Sequence, residues 1–164
     1  MDSNSKRNFI LQQGFDEPRP ESCPTQFTAL TFQPKIVAIA LILGIVFQSP
    51  WIFFALSVAL WAGALLPRLN PFDALYNVTA GATRLTPAPG PRRFAQGMAA
   101  TFSAAIGVLL YLERNTPAYV IEGFFFAAVT ALSFGRFCFG SFVFHLLRGR
   151  AGFAIRTLPW KRER

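Results

Sequence analysis

Glu122 is the residue with the clearest capacity for chemistry in a membrane, because it is the one carboxyl group in an apolar segment over residues 117–135. An ionisable side chain in such a segment is by default a candidate for binding a proton or an ion. The alternative is structural: Glu122 lies at the membrane interface, where it is solvated or pairs with Arg114. The sequence leaves both interpretations open.

Cys138 and His145 are the other residues that could do chemistry. They are seven positions apart, so on one continuous helix they share a face and lie about 10 Å apart along the axis, too far for a catalytic pair. The chain has one histidine, and its sequence does not indicate a catalytic triad of a nucleophile, a base and a residue that orients the base. Cys, His, Asp and Glu show no metal-ligand spacing, and we predict neither a metal nor a cofactor. The neighbouring Arg136 is expected to lower the pKa of Cys138 and make it a single reactive thiol.

Long apolar stretches predict the elements that position these residues. Hydrophobic residues make up 52% of the 164 residues. Residues 36–66 carry no charge over 31 positions and residues 94–112 none over 19, whereas a bilayer core takes about 20 apolar residues as helix. A soluble domain of this size has too little interior to bury so much apolar surface. We therefore predict an integral membrane protein surrounded by the lipid bilayer.

Two proline-led breaks divide the apolar stretches into helices. A single helix over residues 36–66 would be about 46 Å long, and in its middle Ser49-Pro50 forms an N-cap followed by the favoured first helical residue. Thr116-Pro117 repeats this pattern in the second half. The prediction is an all-α membrane protein with two tandem helical hairpins, whose four transmembrane helices lie at about residues 34–48, 50–66, 93–112 and 117–135.

The basic residues predict how the chain is oriented. The net charge is +8, from 16 Lys and Arg against 8 Asp and Glu. With four spans, every basic residue except Arg114 falls on one side, which the positive-inside rule makes cytoplasmic for both chain ends. Because these residues flank apolar spans, they favour contact with anionic lipid headgroups and argue against nucleic acid as a partner.

The remaining segments are predicted to be tails and short interfacial helices. Residues 1–30 contain three prolines and no apolar periodicity, which is typical of disorder. Residues 70–76 are predicted to form a short helix that Asn70 caps, with Phe72, Leu75 and Tyr76 on a face that rests on the membrane. Residues 137–147 are predicted to form a kinked or interfacial helix, since Arg136 at mid-bilayer would cost on the order of 3 kcal/mol. The predicted domains are a disordered cytoplasmic tail at 1–30, a transmembrane domain at 31–148 and a basic cytoplasmic tail at 149–164.

Two motifs give the chain a resemblance to a known family. Residues 91–96 read PRRFAQ at the start of the third span, and residues 137–140 read FCFG after the fourth. Together they resemble the bacterial membrane proteins called domain of unknown function 4395, over about residues 30–148. The resemblance implies a four-helix protein of the bacterial plasma membrane with no established activity. It also implies a second cysteine where this chain has Ser141, so any redox or metal-binding cysteine pair of the family is absent from this motif.

Three functions remain open. The leading hypothesis is a structural or accessory subunit without enzymatic activity. It would pack against a membrane-protein partner or a second copy of the chain, because small residues recur at spacing four along the spans. The first alternative is thiol-redox work by Cys138 at the inner membrane face. The second is a small oligomeric transporter that uses Glu122 in a polar path.

Overall fold

A computed structural model describes residues 3–18, 23–80 and 88–161 of the chain. Residues 1–2, 19–22, 81–87 and 162–164 lie outside the described residues, as do the parts of the predicted tails and central loop that fall on them. The described residues form helices and no strand, so the predicted all-α fold is confirmed. The helices are α1 (Ser3–Gln12), α2 (Cys23–Phe47), α3 (Pro50–Leu65), α4 (Pro71–Ala80), α5 (Gly90–Tyr111), α6 (Asn115–Ser133), α7 (Phe139–Leu147) and α8 (Ala151–Arg156), with a 3-10 turn at Pro67–Leu69.

Four apolar helices, α2, α3, α5 and α6, form the body of the molecule. Each packs against two of the others, in the order α2, α3, α5, α6 and back to α2, so that the four close into a bundle. Its core includes Leu41 of α2, Phe53 of α3, Ile106 of α5 and Phe125 of α6, all at most 3% exposed. The connections from α2 to α3 and from α5 to α6 are short, whereas α3 and α5 are joined through residues 66–89.

Three of these helices, α2, α5 and α6, are long and apolar enough to cross a membrane. α3 is also apolar but has 16 residues, about 24 Å of helix against a hydrocarbon core of about 30 Å. Large apolar side chains lie exposed on the outside of all four helices, among them Val46, Val58, Val108 and Phe124. Helices with such faces fit a membrane protein, as the composition predicts.

The turns of the two predicted hairpins share one backbone motif. Gln48 and Glu113 follow the last turns of α2 and α5 with φ values of 46° and 58°. The N–H groups of the next residues, Ser49 and Arg114, bond to the carbonyls five residues earlier, at 3.2 and 2.8 Å. This is the Schellman motif, which satisfies the last carbonyls of a helix and reverses the chain. Pro50 then begins α3 at its first position, as the sequence predicts.

Glycines in the small-residue rows allow close packing within the bundle. A Cβ atom on Gly44 of α2 would lie 2.8 Å from the Phe53 ring, and one on Gly107 of α5 would lie 2.8 Å from the Phe54 ring. Both rings belong to α3, which therefore lies directly against the backbones of α2 and α5. Gly123 of α6 differs, because a Cβ there would meet no atom within 4 Å.

The N-terminal segment differs from the predicted disordered tail. α1 is a helix, and its Phe9 and Ile10 are 1% and 0% exposed. Both pack with Cys23, which begins α2 well before the predicted start near residue 34. α2 continues through Pro34. Apolar periodicity did not reveal α1 because the helix is short and is stabilised by residues distant in sequence.

The C-terminal segment is also partly helical and joins the N-terminal one. α7 packs against α5, and α8 packs against α7. Asn8 of α1 donates from Nδ2 to the carbonyl oxygens of Leu158 and Lys161, both at 3.2 Å. α1, α7 and α8 thus cover one end of the bundle together. α4 covers it beside them, with Phe72 and Tyr76 buried against the bundle where the sequence placed that face at the membrane.

Candidate functional site

Buried and half-buried polar side chains gather where the bundle meets α1, α4 and α7. We call this group the polar layer. It divides into an ion-pair half beneath α4 and a thiol half beneath α1. Its members are Gln12, Gln33, Asn70, Asp73, Arg92, Gln96, Cys138, Ser141 and His145.

The ion-pair half is centred on Arg92, which is 3% exposed in the first turn of α5. Its Nη2 donates to Asp73 Oδ1 at 2.8 Å and its Nη1 to Oδ2 at 3.4 Å, so the carboxylate receives both arms of the guanidinium. Asp73 is held by Asn70, whose Nδ2 donates to Oδ2 at 3.2 Å. Asn70 also accepts the N–H of Phe72 and so caps α4, as the sequence suggests.

Two glutamines extend this half into the bundle. Gln96 lies one turn after Arg92 on the same face of α5, and its Nε2 donates to Gln33 Oε1 at 2.8 Å. The same oxygen accepts Arg92 Nη2 at 3.1 Å. Gln33 therefore joins α2 to α5 through one carbonyl group. Gln96 Oε1 is buried and has no hydrogen-bond partner among the described residues.

The thiol half begins at Cys138, which is the N-cap residue of α7 and is 4% exposed. Its backbone N–H donates to Gln12 Oε1 at 2.9 Å. Ser141 Oγ lies 3.2 Å from Cys138 Sγ and 3.3 Å from the carbonyl oxygen of Pro91. The hydroxyl has one proton, so it donates to one of these atoms at a time. Cys138 and Ser141 thus lie side by side, where the family resemblance implies a cysteine pair.

The environment of Cys138 favours the neutral thiol. Burial raises the pKa of Cys138, and this effect outweighs the hydrogen bonds with Ser141 and the more distant charge of Arg92, which act in the opposite direction. The expectation that Arg136 activates the thiol is wrong, since Arg136 is not among the groups that shift this pKa. Its guanidinium lies over the Phe27 ring, 5.3 Å from the centroid.

His145 completes the thiol half from the next turns of α7. Its Nε2 lies 3.1 Å from the backbone carbonyl oxygen of Gln12. A carbonyl can only accept, so Nε2 carries the proton and Nδ1 is an acceptor, for which the described residues offer no partner. Burial lowers the pKa of His145, more than the bond with Gln12 raises it, and the charge of Arg150 lowers it further. The imidazole is therefore neutral at pH 7.

Glu122 lies apart from the polar layer, towards the opposite end of the bundle. It is 4% exposed, and its Oε2 accepts a hydrogen bond of 3.3 Å from Gln48 Nε2. The solvated or Arg114-paired arrangement considered from the sequence is thus not observed, because Glu122 is buried and bonded to the turn between α2 and α3. Its Oε1 and Gln48 Oε1 are both buried without a partner among the described residues.

The structure brings together three of the five candidate residues, namely Cys138, Ser141 and His145. Arg136 and Glu122 stand outside this group. Sequence reasoning missed the glutamines and the ion pair of the layer. One signal for them was present, since Arg92 and Gln96 are four apart within the PRRFAQ motif and therefore share a helix face. Within the described ranges, no three His, Cys, Asp or Glu side chains are grouped as metal ligands.

These features define a class: an α-helical bundle with membrane-length helices and a buried polar layer at one end. The chain belongs to the family described as domain of unknown function (DUF4395), whose sequence model matches residues 28–149. The match includes every member of the polar layer except Gln12. No curated protein and no solved structure matches the chain significantly.

Proposed function

We propose that this chain is a four-span integral protein of the bacterial plasma membrane that acts as an accessory subunit. In this proposal it has no enzymatic activity, and it binds one transmembrane helix of a partner protein in a groove beside α5. The groove is the observation that carries the proposal, because the small residues that line it are not covered by the chain's own helices.

The four-span topology is supported by the closed packing of α2, α3, α5 and α6. α3 could not leave the membrane without breaking contacts with two neighbours. Its length is extended by the 3-10 turn at Pro67–Leu69, which brings Arg68 to the interface. The hydrogen bonds between Asn8 and the carbonyls of Leu158 and Lys161 join α1 to the C-terminal segment, which supports an even number of spans.

Labelling of single cysteines tests the number of spans. Asn4→Cys in α1 and Asn115→Cys at the start of α6 replace two exposed residues, whereas Cys23 and Cys138 are buried. In sealed inverted vesicles, four spans expose Asn4→Cys to an impermeant maleimide and protect Asn115→Cys. Three spans without α3 put both positions on the same side. Equal labelling of the two variants would therefore contradict the proposed topology.

The groove has a volume of about 690 Å³ and runs along α5 between α3 and α6. Gly97, Thr101 and Ala105 line it at spacing four, with Trp61 on one side and Ile121 on the other. Such small residues let the backbone of a second helix approach closely in lipid, where dispersion contacts rather than the hydrophobic effect drive association. A transmembrane helix of a partner fits this surface better than a flat protein face does.

A matched pair of glycine variants tests the partner role. Gly97→Leu fills the groove, and its Cβ would lie 3.7 Å from Trp61, an ordinary contact that the fold accepts. Gly123→Leu adds the same volume to the outer face of α6, where a Cβ meets nothing within 4 Å. On native gels in mild detergent, we expect wild type and Gly123→Leu to migrate with the partner and Gly97→Leu to migrate alone. If the wild-type protein migrates as a monomer without a partner, the proposal is contradicted. If it retains only bound lipid, the groove is a lipid-binding surface.

The two alternatives receive less support from the geometry. A redox-active thiol must be accessible to its partner and must react as the thiolate, whereas Cys138 is buried and protonated. A transporter needs polar groups along its path, whereas Glu122 and the polar layer are separated along α2 by the fifteen residues from Gln33 to Gln48, about 22 Å of helix. The accessory role needs neither a reactive thiol nor such a path.

A further inference from the structure

Two cations lie against one aromatic ring near the start of α2. The ammonium nitrogen of Lys6 in α1 lies 5.7 Å from the centroid of the Phe27 ring, and the guanidinium carbon of Arg136 lies 5.3 Å from it. Both distances end at the same centroid, so the two charged groups lie at most about 11 Å apart. Lys6 and Arg136 are 130 positions apart in the sequence, so the fold brings them together. The ring attracts each cation but carries no net charge.

No described residue neutralises either charge. The described ion pairs involve Arg7 and Arg92 instead. Neither the Lys6 ammonium nor the Arg136 guanidinium makes a hydrogen bond or an ion pair with a described residue. Both residues are half-buried and not enclosed, so a molecule beside the bundle can reach them. Two like charges close together are unfavourable until an anion compensates them.

The backbone at Arg136 indicates that its side chain matters. Arg136 has a φ of 54°, in the left-handed region where glycine is the usual residue. The N–H of Phe137 bonds to the carbonyl oxygen of Ala131 at 3.1 Å, which holds this conformation just after α6. Glycine would fit the turn with less strain, but it would not place a guanidinium beside Phe27. A backbone conformation that is unfavourable for its residue is a reason to look for a function at that residue.

The helix lengths place this ring at the membrane interface. Phe27 is 20 residues before Phe47, the last residue of α2, which is about 30 Å of helix and equals the thickness of the hydrocarbon core. α6 has 19 residues, about 28 Å of helix, and Arg136 follows three positions after its end. With the turn between α2 and α3 at one interface, Phe27 and Arg136 therefore lie near the other, where the lipid headgroups begin.

An exposed aromatic side chain adds an apolar contact at the same level. Phe134 immediately follows α6, two positions before Arg136, and is 86% exposed. At a membrane interface, such a ring contacts lipid. A free phosphate ion gains nothing from this ring, whereas a phospholipid offers a phosphate to the cations and an acyl chain to Phe134. The combination favours a lipid over a soluble anion.

We propose that Lys6 and Arg136 bind the headgroup of an anionic phospholipid, whose acyl chain lies beside Phe134. A zwitterionic phospholipid carries its own cationic group, so it gains less from two further cations. None of these three residues lines the groove beside α5. The accessory role and the lipid site can therefore fail separately.

Native mass spectrometry of the full-length protein in mild detergent tests the site. The protein is mixed with equal amounts of phosphatidylglycerol and phosphatidylcholine that have the same acyl chains, and the first bound lipid is identified by its mass. Each basic residue near a membrane surface strengthens the binding of anionic lipid by about fivefold. The preference for phosphatidylglycerol should therefore be about 25-fold lower in Lys6→Gln/Arg136→Gln than in the wild type.

Two further variants locate the effect. Arg148→Gln/Arg150→Gln removes the same amount of charge. Arg148 lies over the Phe144 ring, 5.3 Å from its centroid, and shares it with no second cation of the described residues, so this variant should keep the wild-type preference. Arg136→Gly removes one cation and suits the left-handed backbone, so it folds even if the double glutamine variant does not. It should lose about fivefold in preference.

Several results would overturn the proposal. One is equal binding of the two lipids by the wild type, and another is an unchanged preference in Arg136→Gly. Equal losses in the two double variants would mean that net charge alone attracts the lipid. Displacement of phosphatidylglycerol by excess glycerol phosphate, which has the phosphate without acyl chains, would identify a site for a soluble anion instead.

Discussion

Replacement of Asp73 by Asn is expected to destabilise the protein strongly through Arg92. The substitution keeps the shape of the side chain and removes the charge that compensates a guanidinium whose side chain is 4% exposed. Breaking a buried ion pair from one side costs about 3–5 kcal/mol because the other charge remains buried. The Asp73 side chain is 20% exposed, and Gln33 still accepts from Arg92. These two facts reduce the expected loss to about 2–3 kcal/mol.

Thermal unfolding of the purified protein measures this loss. At about 2–4 °C per kcal/mol for a chain of this size, the midpoint should fall by about 4–12 °C. Glu17→Gln is the control, because it breaks an ion pair with Arg7 at 2.7 Å whose carboxylate side chain is 65% exposed. Exposed pairs contribute about 0–1 kcal/mol, so this midpoint should change by at most about 4 °C.

The double variant Asp73→Asn/Arg92→Met separates the buried charge from other effects. It removes both charges and keeps an unbranched side chain in the layer, so it should be more stable than Asp73→Asn alone. If Asp73→Asn behaves like Glu17→Gln, or if the double variant is the less stable one, Arg92 does not depend on Asp73 and the reasoning is refuted.

Three further predictions concern other parts of the molecule. Ser141→Cys should form a disulfide with Cys138 under mild oxidation, because Ser141 Oγ lies 3.2 Å from Cys138 Sγ. Thiol counting in the denatured protein checks this: the disulfide leaves one free thiol, that of Cys23. Three free thiols in the oxidised variant would be the contrary result, and Ser133→Cys is the exposed control. Lower pH should loosen α1, because burial lowers the pKa of His145 below its unfolded value of about 6.5. Between the two pKa values the unfolded state binds more protons than the folded state does. The stabilisation by neutral His145 is therefore complete above about pH 6.5 and is lost as the pH falls. Amide hydrogen exchange of α1 at pH 7.5 and 5.5, corrected for intrinsic rates, should show lower protection at pH 5.5 in wild type but not in His145→Gln. The same pH dependence of protection in both proteins would rule out His145 as the cause. Gly44→Ala should cost about 1–3 kcal/mol, since its Cβ would lie 2.8 Å from the Phe53 ring. Gly123→Ala is its matched helical control and should be neutral or slightly stabilising in denaturant titration; similar losses in both would contradict tight packing of α2 on α3.

Local signals in the sequence predicted where α3, α5 and α6 begin, but not where α2 begins, since α2 starts at Cys23 and not near residue 34. Pro50 begins α3 as expected, because proline is favoured at the first helical position and disfavoured in the interior of a helix arriving from upstream. α5 and α6 begin within three residues of the predicted starts at 93 and 117. These boundaries depend on neighbouring residues and are therefore readable without tertiary information.

The buried polar layer could not be predicted in the same way. Gln12 meets Cys138 across 126 positions, and Gln33 meets Gln96 across 63. The neighbours of a glutamine in the sequence do not indicate its hydrogen-bond partner. Its burial depends on helices that are distant in sequence and pack against it only in the folded protein. The same reason explains α1, whose apolar residues Phe9 and Ile10 gain their environment from α2 and from Leu132 of α6. The all-α fold was predictable, whereas the contacts that make a site were not.

The docking of α1 has a consequence for how the protein is made. α1 is synthesised before its partners, because Asn8 binds carbonyls 150 and 153 positions later. Gln12 likewise binds Cys138 at the N-cap and His145 in the last turn of α7. At 5–20 residues per second, the ribosome needs roughly 8–30 s to supply these partners. The docking of α1 therefore cannot be complete before residue 161 is synthesised, and a chain interrupted before residue 138 leaves the Gln12 side chain without its hydrogen bond to Cys138.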